Sequence, residues 1–138
     1  MEVTVKHLDR VKFAIQARSH SILCDQPPDN GGEDSGFTPP ELLLASLGSC
    51  AAFYAVQYLS TRNLAQNGVE VSVSAEKIKQ PTRLGNFHIR VVCPVSLTPE
   101  QTEGLMRSVH HCLIHSTLMA PSEIEIELAI PGAAAPQV

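Results

Sequence analysis

The chain has no tryptophan, and aromatic residues make up only 4% of its 138 positions. Platforms for stacking unpaired bases are therefore poorly supplied. Charge is sparse as well: 17% of residues are Asp, Glu, Lys or Arg, the net charge is -4, and Lys and Arg never form a run. Binding to a phosphate backbone leaves an electrostatic footprint that is missing here, so nucleic acid is not an expected partner. Four cysteines are far fewer than a disulfide scaffold uses. Neither GxGxxG nor GxxxxGK[ST] occurs, and Gly31-Gly32 lacks the sequel of a phosphate loop, which argues against nucleotide binding. No GxSxG elbow is found. The acids fall on strand faces and in loops, so no carboxylate pair for glycoside chemistry can be picked out.

What is present is apolar and aliphatic. A hydrophobic content of 43% argues against disorder, and the length suits one domain spanning 1–138. The segment Met1-Glu2-Val3-Thr4-Val5-Lys6 has no basic flank followed by an apolar stretch, so no secretory signal is expected and the thiols are expected in a reducing cytoplasm. Leu42 to Leu59 carries no charge and is as long as a minimal membrane span. Ser46, Gly48, Ser49 and Gln57 dilute it and no basic cluster flanks it, so it reads as a buried core helix and no membrane is expected. A helix apolar on every side must be covered on every side. In one small domain, a second copy of the chain is the simplest cover.

Along the chain, Val3-Thr4-Val5 begins a strand, and Val11, Phe13, Ile15 and Ala17 alternate with Lys12, Ala14, Gln16 and Arg18 in a second. Ser19-His20 turns into a third, Ser21 to Asp25. Breaker residues mark 26–40 as a loop, long enough to suggest function. Thr38-Pro39-Pro40-Glu41 opens a helix that runs to about Asn63, with proline in the first turn and an acid at the positive end of the dipole. Val69 to Glu76 alternates as a strand, Lys79 to Asn86 reads as a hairpin loop, and Phe87, Ile89, Val91, Cys93 and Val95 share one face of the next strand. Thr98-Pro99-Glu100-Gln101 has capping-box spacing and starts a second helix. Its stripe is Leu105, Val109, Cys112, Leu113 and Ser116, and Pro121 ends it. Ile124, Ile126, Leu128 and Ile130 alternate with Glu123, Glu125 and Glu127 in a last strand, and 131–138 is a small-residue tail. Runs of strands separated by two helices predict an α+β fold with largely antiparallel sheet.

Cys50 lies mid-helix among residues of little bulk, Leu47-Gly48-Ser49-Cys50-Ala51-Ala52, where another element or a substrate can approach the sulfur. A plain core cysteine has the same pattern. Cys112 sits on the stripe of the second helix. If the helices cross there, the two sulfurs come within bridging range, and a buried dithiol in a reducing compartment is more often redox-active than structural. His111 and His115, four apart, have a spacing that suits zinc, but no HExxH accompanies them and no metal is expected. Their humbler roles are to lower the Cys112 thiol pKa or to line a pocket rim. Arg18, before a turn, is either a surface residue or a stabiliser of a thiolate. Cys24 and Cys93 read as structural.

The stretch Gly36-Phe37-Thr38-Pro39-Pro40-Glu41-Leu42-Leu43-Leu44-Ala45-Ser46-Leu47-Gly48-Ser49-Cys50 resembles the central signature of the OsmC/Ohr family of osmotically induced and organic hydroperoxide resistance proteins. The segment from Cys112 to Leu128 resembles the C-terminal half of that family, and the element order matches over about 3–130. The resemblance implies an intertwined homodimer, with antiparallel sheets wrapped around two central helices and an active site at the subunit interface. It implies a thiol peroxidase in stress and antioxidant defence, in which Cys50 attacks an organic hydroperoxide and Cys112 resolves the product as a disulfide. The reductant would be an external dithiol, lipoyl-type in the family, with no metal or flavin cofactor. Active members use a glutamate in an Asn-Pro-Glu-like motif to position an arginine over the thiolate. Here Pro40 stands at that place and Glu41 one position later, while Arg18 is the matching arginine. A non-enzymatic module that binds a small apolar ligand at the dimer interface is the alternative.

Overall fold

A computed structural model of the chain describes residues 1–120 and 122–132. Three strands come first: β1 (Thr4–Asp9), β2 (Lys12–Ala17) and β3 (His20–Cys24) form an antiparallel sheet in sequential order. The β1–β2 register slips between His7 and Asp9, and β2 pairs with β3 in regular register from Phe13–Cys24 to Ala17–His20. The predicted alternation in Val11 to Arg18 thus becomes the middle strand. Among the described residues this sheet has little contact with the helices or the second sheet, and Val5, Ile22 and Leu23 on it remain exposed, as does Val3 just before it.

Residues 26–36 are less open than a loop reading implies. Asp25 is buried, and its carboxylate accepts hydrogen bonds from the Gln26, Glu33 and Ser35 amides at 2.8, 3.1 and 3.1 Å and from the Ser35 hydroxyl at 2.7 Å. A single 3-10 turn, Pro28–Asn30, lies inside the loop, and Phe37 bridges to Cys24 at its exit. Gly32 is required by close approach, because a Cβ there would collide with the Gln26 carbonyl.

The long helix α1 runs Pro39–Thr61, two residues shorter than Asn63. It starts as its sequence predicts: the Glu41 carboxylate accepts from the Thr38 amide at 2.8 Å and from the Thr38 hydroxyl at 2.9 Å. One stripe, Leu47, Ala51, Ala55, Tyr58 and Leu59, is buried, and from Ala51 onward it packs with Leu105 and Val109 and with apolar residues of the second sheet. That sheet is one antiparallel pair, β4 (Glu70–Lys79) and β5 (Thr82–Val92). The expected loop at Lys79 to Asn86 is instead a tight Gln80-Pro81 turn, with Leu84 to Asn86 inside β5. The breakers Pro81 and Gly85 suggested a longer connection, but Gly85 stays within the ladder opposite Glu76, next to a register shift.

The helix α2 (Pro99–His110) has the predicted capping box: the Thr98 amide donates to Gln101 Oε1 at 2.9 Å and the Gln101 amide to Thr98 Oγ1 at 3.2 Å. Gly104 marks where α2 crosses α1, since a Cβ there would strike the Tyr58 hydroxyl. Ser108 Oγ donates to the Tyr54 carbonyl at 3.3 Å across the same crossing.

Two expectations for the C-terminal part are corrected. The second helix does not continue through Cys112: α2 closes at His111, and a separate α3 spans Leu113–Met119. An extended residue, Cys112 (φ -55°, ψ 127°), breaks the hydrogen-bond ladder while keeping the apolar spacing that made the stripe look continuous. The last strand does not form within the chain. Ile124, Ile126 and Leu128 are 87%, 93% and 77% exposed and pair with nothing among the described residues. An alternating segment has no sheet to join unless an unpaired edge is in reach. Pro121 and the tail residues 133–138 lie outside the described residues. The fold is α+β with two antiparallel sheets, as expected, and with three helices rather than two.

The apolar character of α1 exceeds what the chain covers. It is the one described helix long and apolar enough to cross a membrane, and only 28% of its most hydrophobic window is buried. Phe53, Val56 and Leu43 face outward.

Candidate active site

Cys50 and Cys112 are far apart in the sequence; the fold brings their thiols close enough for each to shift the titration of the other. The helix α1 carries Cys50 beside Ala51, whose buried side faces α2. The break after α2 places Cys112 at the start of α3, fully buried, where its Sγ accepts from the His115 amide at 3.5 Å. All four cysteines are free thiols.

The two thiols are not equivalent. Burial pushes the Cys50 thiol up, but hydrogen bonds from the Cys112 thiol and from the Ile114 and Leu113 amides outweigh it and hold Cys50 below the ordinary cysteine range. Cys112 is pushed up, by burial first and then by donating its proton toward Cys50. A thiolate on Cys50 beside a protonated Cys112 is the arrangement a nucleophile and a proton-holding partner need. The first-turn amides of α3 provide the donors.

Phe87 and Ile89 of β5 line two cavities, both of which also take in His115 of α3. One, of about 150 Å³, is an open cleft lined also by Leu47, Leu118 and Met119. The other, of about 470 Å³, extends over Val91, Cys93 and Leu97 beneath α2 and reaches His110.

Of the sequence-derived site residues, Cys50 and Cys112 are brought together, whereas Arg18 and Glu41 do not join them by any hydrogen bond or ion pair among the described residues. Arg18 is exposed in the β2–β3 turn with a left-handed backbone (φ 55°). Glu41 is occupied at the N-terminus of α1, and the Thr38 amide and hydroxyl hold its carboxyl below the usual range. The histidine pair differs from the spacing argument: the His115 ring lies 5.4 Å from that of His110, while His111 caps α2 and is exposed. His110 and His115 line the larger cavity, which is the rim role. No group of three His, Cys, Asp or Glu side chains that could hold a metal occurs among the described residues. Cys24 is buried at the end of β3, and Cys93, its thiol pushed up by burial, packs on the core. Sequence reasoning missed Asp25. The signal was available, an acid at the end of a strand followed by closely spaced glycines and Ser35 in a turn-rich segment.

Residues 32–127 match the family model described as OsmC-like protein. No curated protein sequence matches the chain. Solved structures share the fold. A Psychrobacter arcticus 273-4 protein, provisionally described as an osmotic stress induced and detoxification response protein, has a TM-score of 0.76 at 20% identity, over 83% of this chain and 85% of its own. An OsmC-like protein from Mycoplasma pneumoniae has a TM-score of 0.68 at 20% identity, over 86% of each chain. An organic hydroperoxide resistance protein OsmC from Legionella pneumophila, described also as a predicted redox protein, has a TM-score of 0.58 at 18% identity, over 86% of this chain and 89% of its own.

Proposed function

The chain belongs to the OsmC-like family, and from that premise we propose that it is a thiol-dependent peroxidase that reduces organic hydroperoxides in a stress or redox role. One observation carries the reading: a partly accessible thiol held toward its anionic form beside a buried second thiol that shifts it. The Cys50 thiolate attacks the terminal oxygen of the hydroperoxide, the O–O bond breaks, and the alkoxide leaves as an alcohol after taking a proton. Cys50 is then a sulfenic acid. The Cys112 sulfur attacks it, a disulfide forms, and the hydroxyl departs as water with the Cys112 proton. An external dithiol, lipoyl-type by family resemblance, restores both thiols by exchange and is itself oxidised to a disulfide. The site calls on no metal or flavin.

The working unit is a homodimer in a reducing cytoplasm. The outward apolar stripe of α1, the unattached first sheet and the unpaired segment 124–130 are the three surfaces a second copy would cover. In such a dimer Arg18, on the unattached sheet, approaches the dithiol of the second copy, with Glu41 to orient it. No nucleic acid or membrane enters the reading.

A stoichiometric pulse of cumene hydroperoxide on the reduced protein is expected to consume two thiols and form one Cys50–Cys112 disulfide, mapped by mass spectrometry. An unchanged thiol titre, with Cys50→Ser behaving as wild type, defeats the proposal. The cavity of about 470 Å³ also favours a second reading, a module that binds a small apolar ligand without chemistry. Ligand-dependent melting shifts that persist in the Cys50→Ser, Cys112→Ser protein, with no thiol loss in the wild type, would select it.

A further inference from the structure

The residue His115 meets both the dithiol and the apolar cavities. Its amide donates to Cys112 Sγ, which fixes the first turn of α3 against the thiols. It lines both cavities, and the only other residues common to the two are Phe87 and Ile89. Those two lie on β5 and form the floor, so the one shared residue that comes from a helix is His115. The His110 ring stands 5.4 Å away on the side of the larger cavity.

Neither Cys50 nor Cys112 lines either cavity, but the smaller one is bordered by residues close to both in the chain. Leu47, one helical turn before Cys50 on α1, forms part of its wall, and His115 brings the other wall from the element that begins at Cys112. An apolar space of about 150 Å³ holds a benzene-sized group, whereas the larger cavity falls in the range of ordinary ligand clefts. A compact aryl or short branched group fits the smaller cavity. A long alkyl chain needs the larger one, over Val91 and Leu97, as well.

Resting on the peroxidase reading, we infer that His115 is a specificity-determining residue, whose ring divides one apolar channel on β5 and sets the size of the hydroperoxide tail that reaches Cys50. The test uses the alcohols that hydroperoxide reduction leaves behind, since they bind without any redox step. In full-length Cys50→Ser protein, the dissociation constants of benzyl alcohol and 1-decanol are measured by calorimetry, alone and with His115→Ala or His115→Trp added. His115→Ala is expected to raise the affinity for decanol relative to benzyl alcohol about ten-fold, the worth of admitting two or so more methylenes. His115→Trp is expected to lower the same ratio, which keeps the test alive if the alanine variant does not fold. A ratio unmoved by either folded variant overturns the inference, as does failure of the Cys50→Ser protein to bind either alcohol. Loss of the peroxidase reading would show separately, as an unchanged thiol titre in the wild type.

Discussion

Asp25 and Cys50 each collect backbone N–H groups from a turn of chain that closes around them. Asp25 has three amides and a hydroxyl, it is buried, and its carboxyl is held far below the usual range, first by the Ser35 hydroxyl and then by the amides. Nothing is left open for a reactant, so the charge is permanent and its work is to hold 26–36 in one shape. Cys50 has two amides and a thiol, and it remains partly exposed. Its charge is favoured but not locked, and one of its donors is itself a thiol that can become a covalent partner. The same device, amides aimed at an anion, gives a structural clamp when the shell is complete. It gives a reactive group when the shell is one ligand short and leaves the anion partly exposed.

The largest expected effect separates these two sites by reactivity. Iodoacetamide at neutral pH should label Cys50 before Cys112 or Cys93, and Cys50→Ser should remove the fast phase altogether, read by peptide mapping. Cys112→Ala takes away a donor and should move the pH at which Cys50 alkylation is half-maximal up toward that of a free thiol, about 8.5. A profile unmoved by Cys112→Ala would mean that the amides of α3 alone activate Cys50.

Next in size is the loss of the clamp. Asp25→Ala strands three amides near a buried site, and the melting midpoint should fall by several degrees with proteolysis appearing within 26–36. Because the folded-state pKa of Asp25 is depressed, its contribution is complete above the unfolded carboxylate value of about 3.9 and is lost as pH falls toward the folded value. Wild type should therefore lose stability below about pH 4 more steeply than Asp25→Ala, measured by urea denaturation at a series of pH values. Parallel curves would remove Asp25 from the account.

The contrast between the two sites also explains what the sequence made legible. Both long-helix starts were readable because Thr38 to Glu41 and Thr98 to Gln101 are local signals, complete within four residues. The strands were readable from alternation. The break at Cys112 was not, because Val109 to Cys112 to Leu113 keeps helical spacing whether or not the ladder continues, and the break depends on a single extended residue. The last strand was misread for the opposite reason: alternation in 124–130 is a property of the segment, whereas a strand needs a partner edge. The dithiol was half legible, two cysteines on helices, but the donors from Leu113 and Ile114 exist only because α3 restarts there.

A smaller effect tests the frame that holds Cys50. Gly104 lets α2 approach Tyr58, so Gly104→Ala forces a methyl group against the Tyr58 hydroxyl at the helix crossing. A cost of about 1–3 kcal/mol is expected from overpacking, read by urea denaturation. If the crossing positions the dithiol, the Cys50 alkylation profile shifts with it. If α1 and β4 suffice, stability falls and the profile stays.

The smallest change concerns Glu41, where a structural and a chemical role meet in one carboxylate. Both hydrogen bonds from Thr38 arrive at the same oxygen, Oε2. The amide oxygen of Gln can accept them, so Glu41→Gln should preserve the cap and leave the melting midpoint within a degree or so of wild type. Orienting an arginine is a different demand, since it requires the full charge and the second oxygen. On the proposed function, Glu41→Gln therefore lowers kcat/KM for cumene hydroperoxide with little change in stability, and Arg18→Gln lowers it to the same level, with the double change adding nothing further. Equal stability with an unchanged rate would assign Glu41 to the helix end alone and leave the Cys50 thiolate to the α3 amides and Cys112.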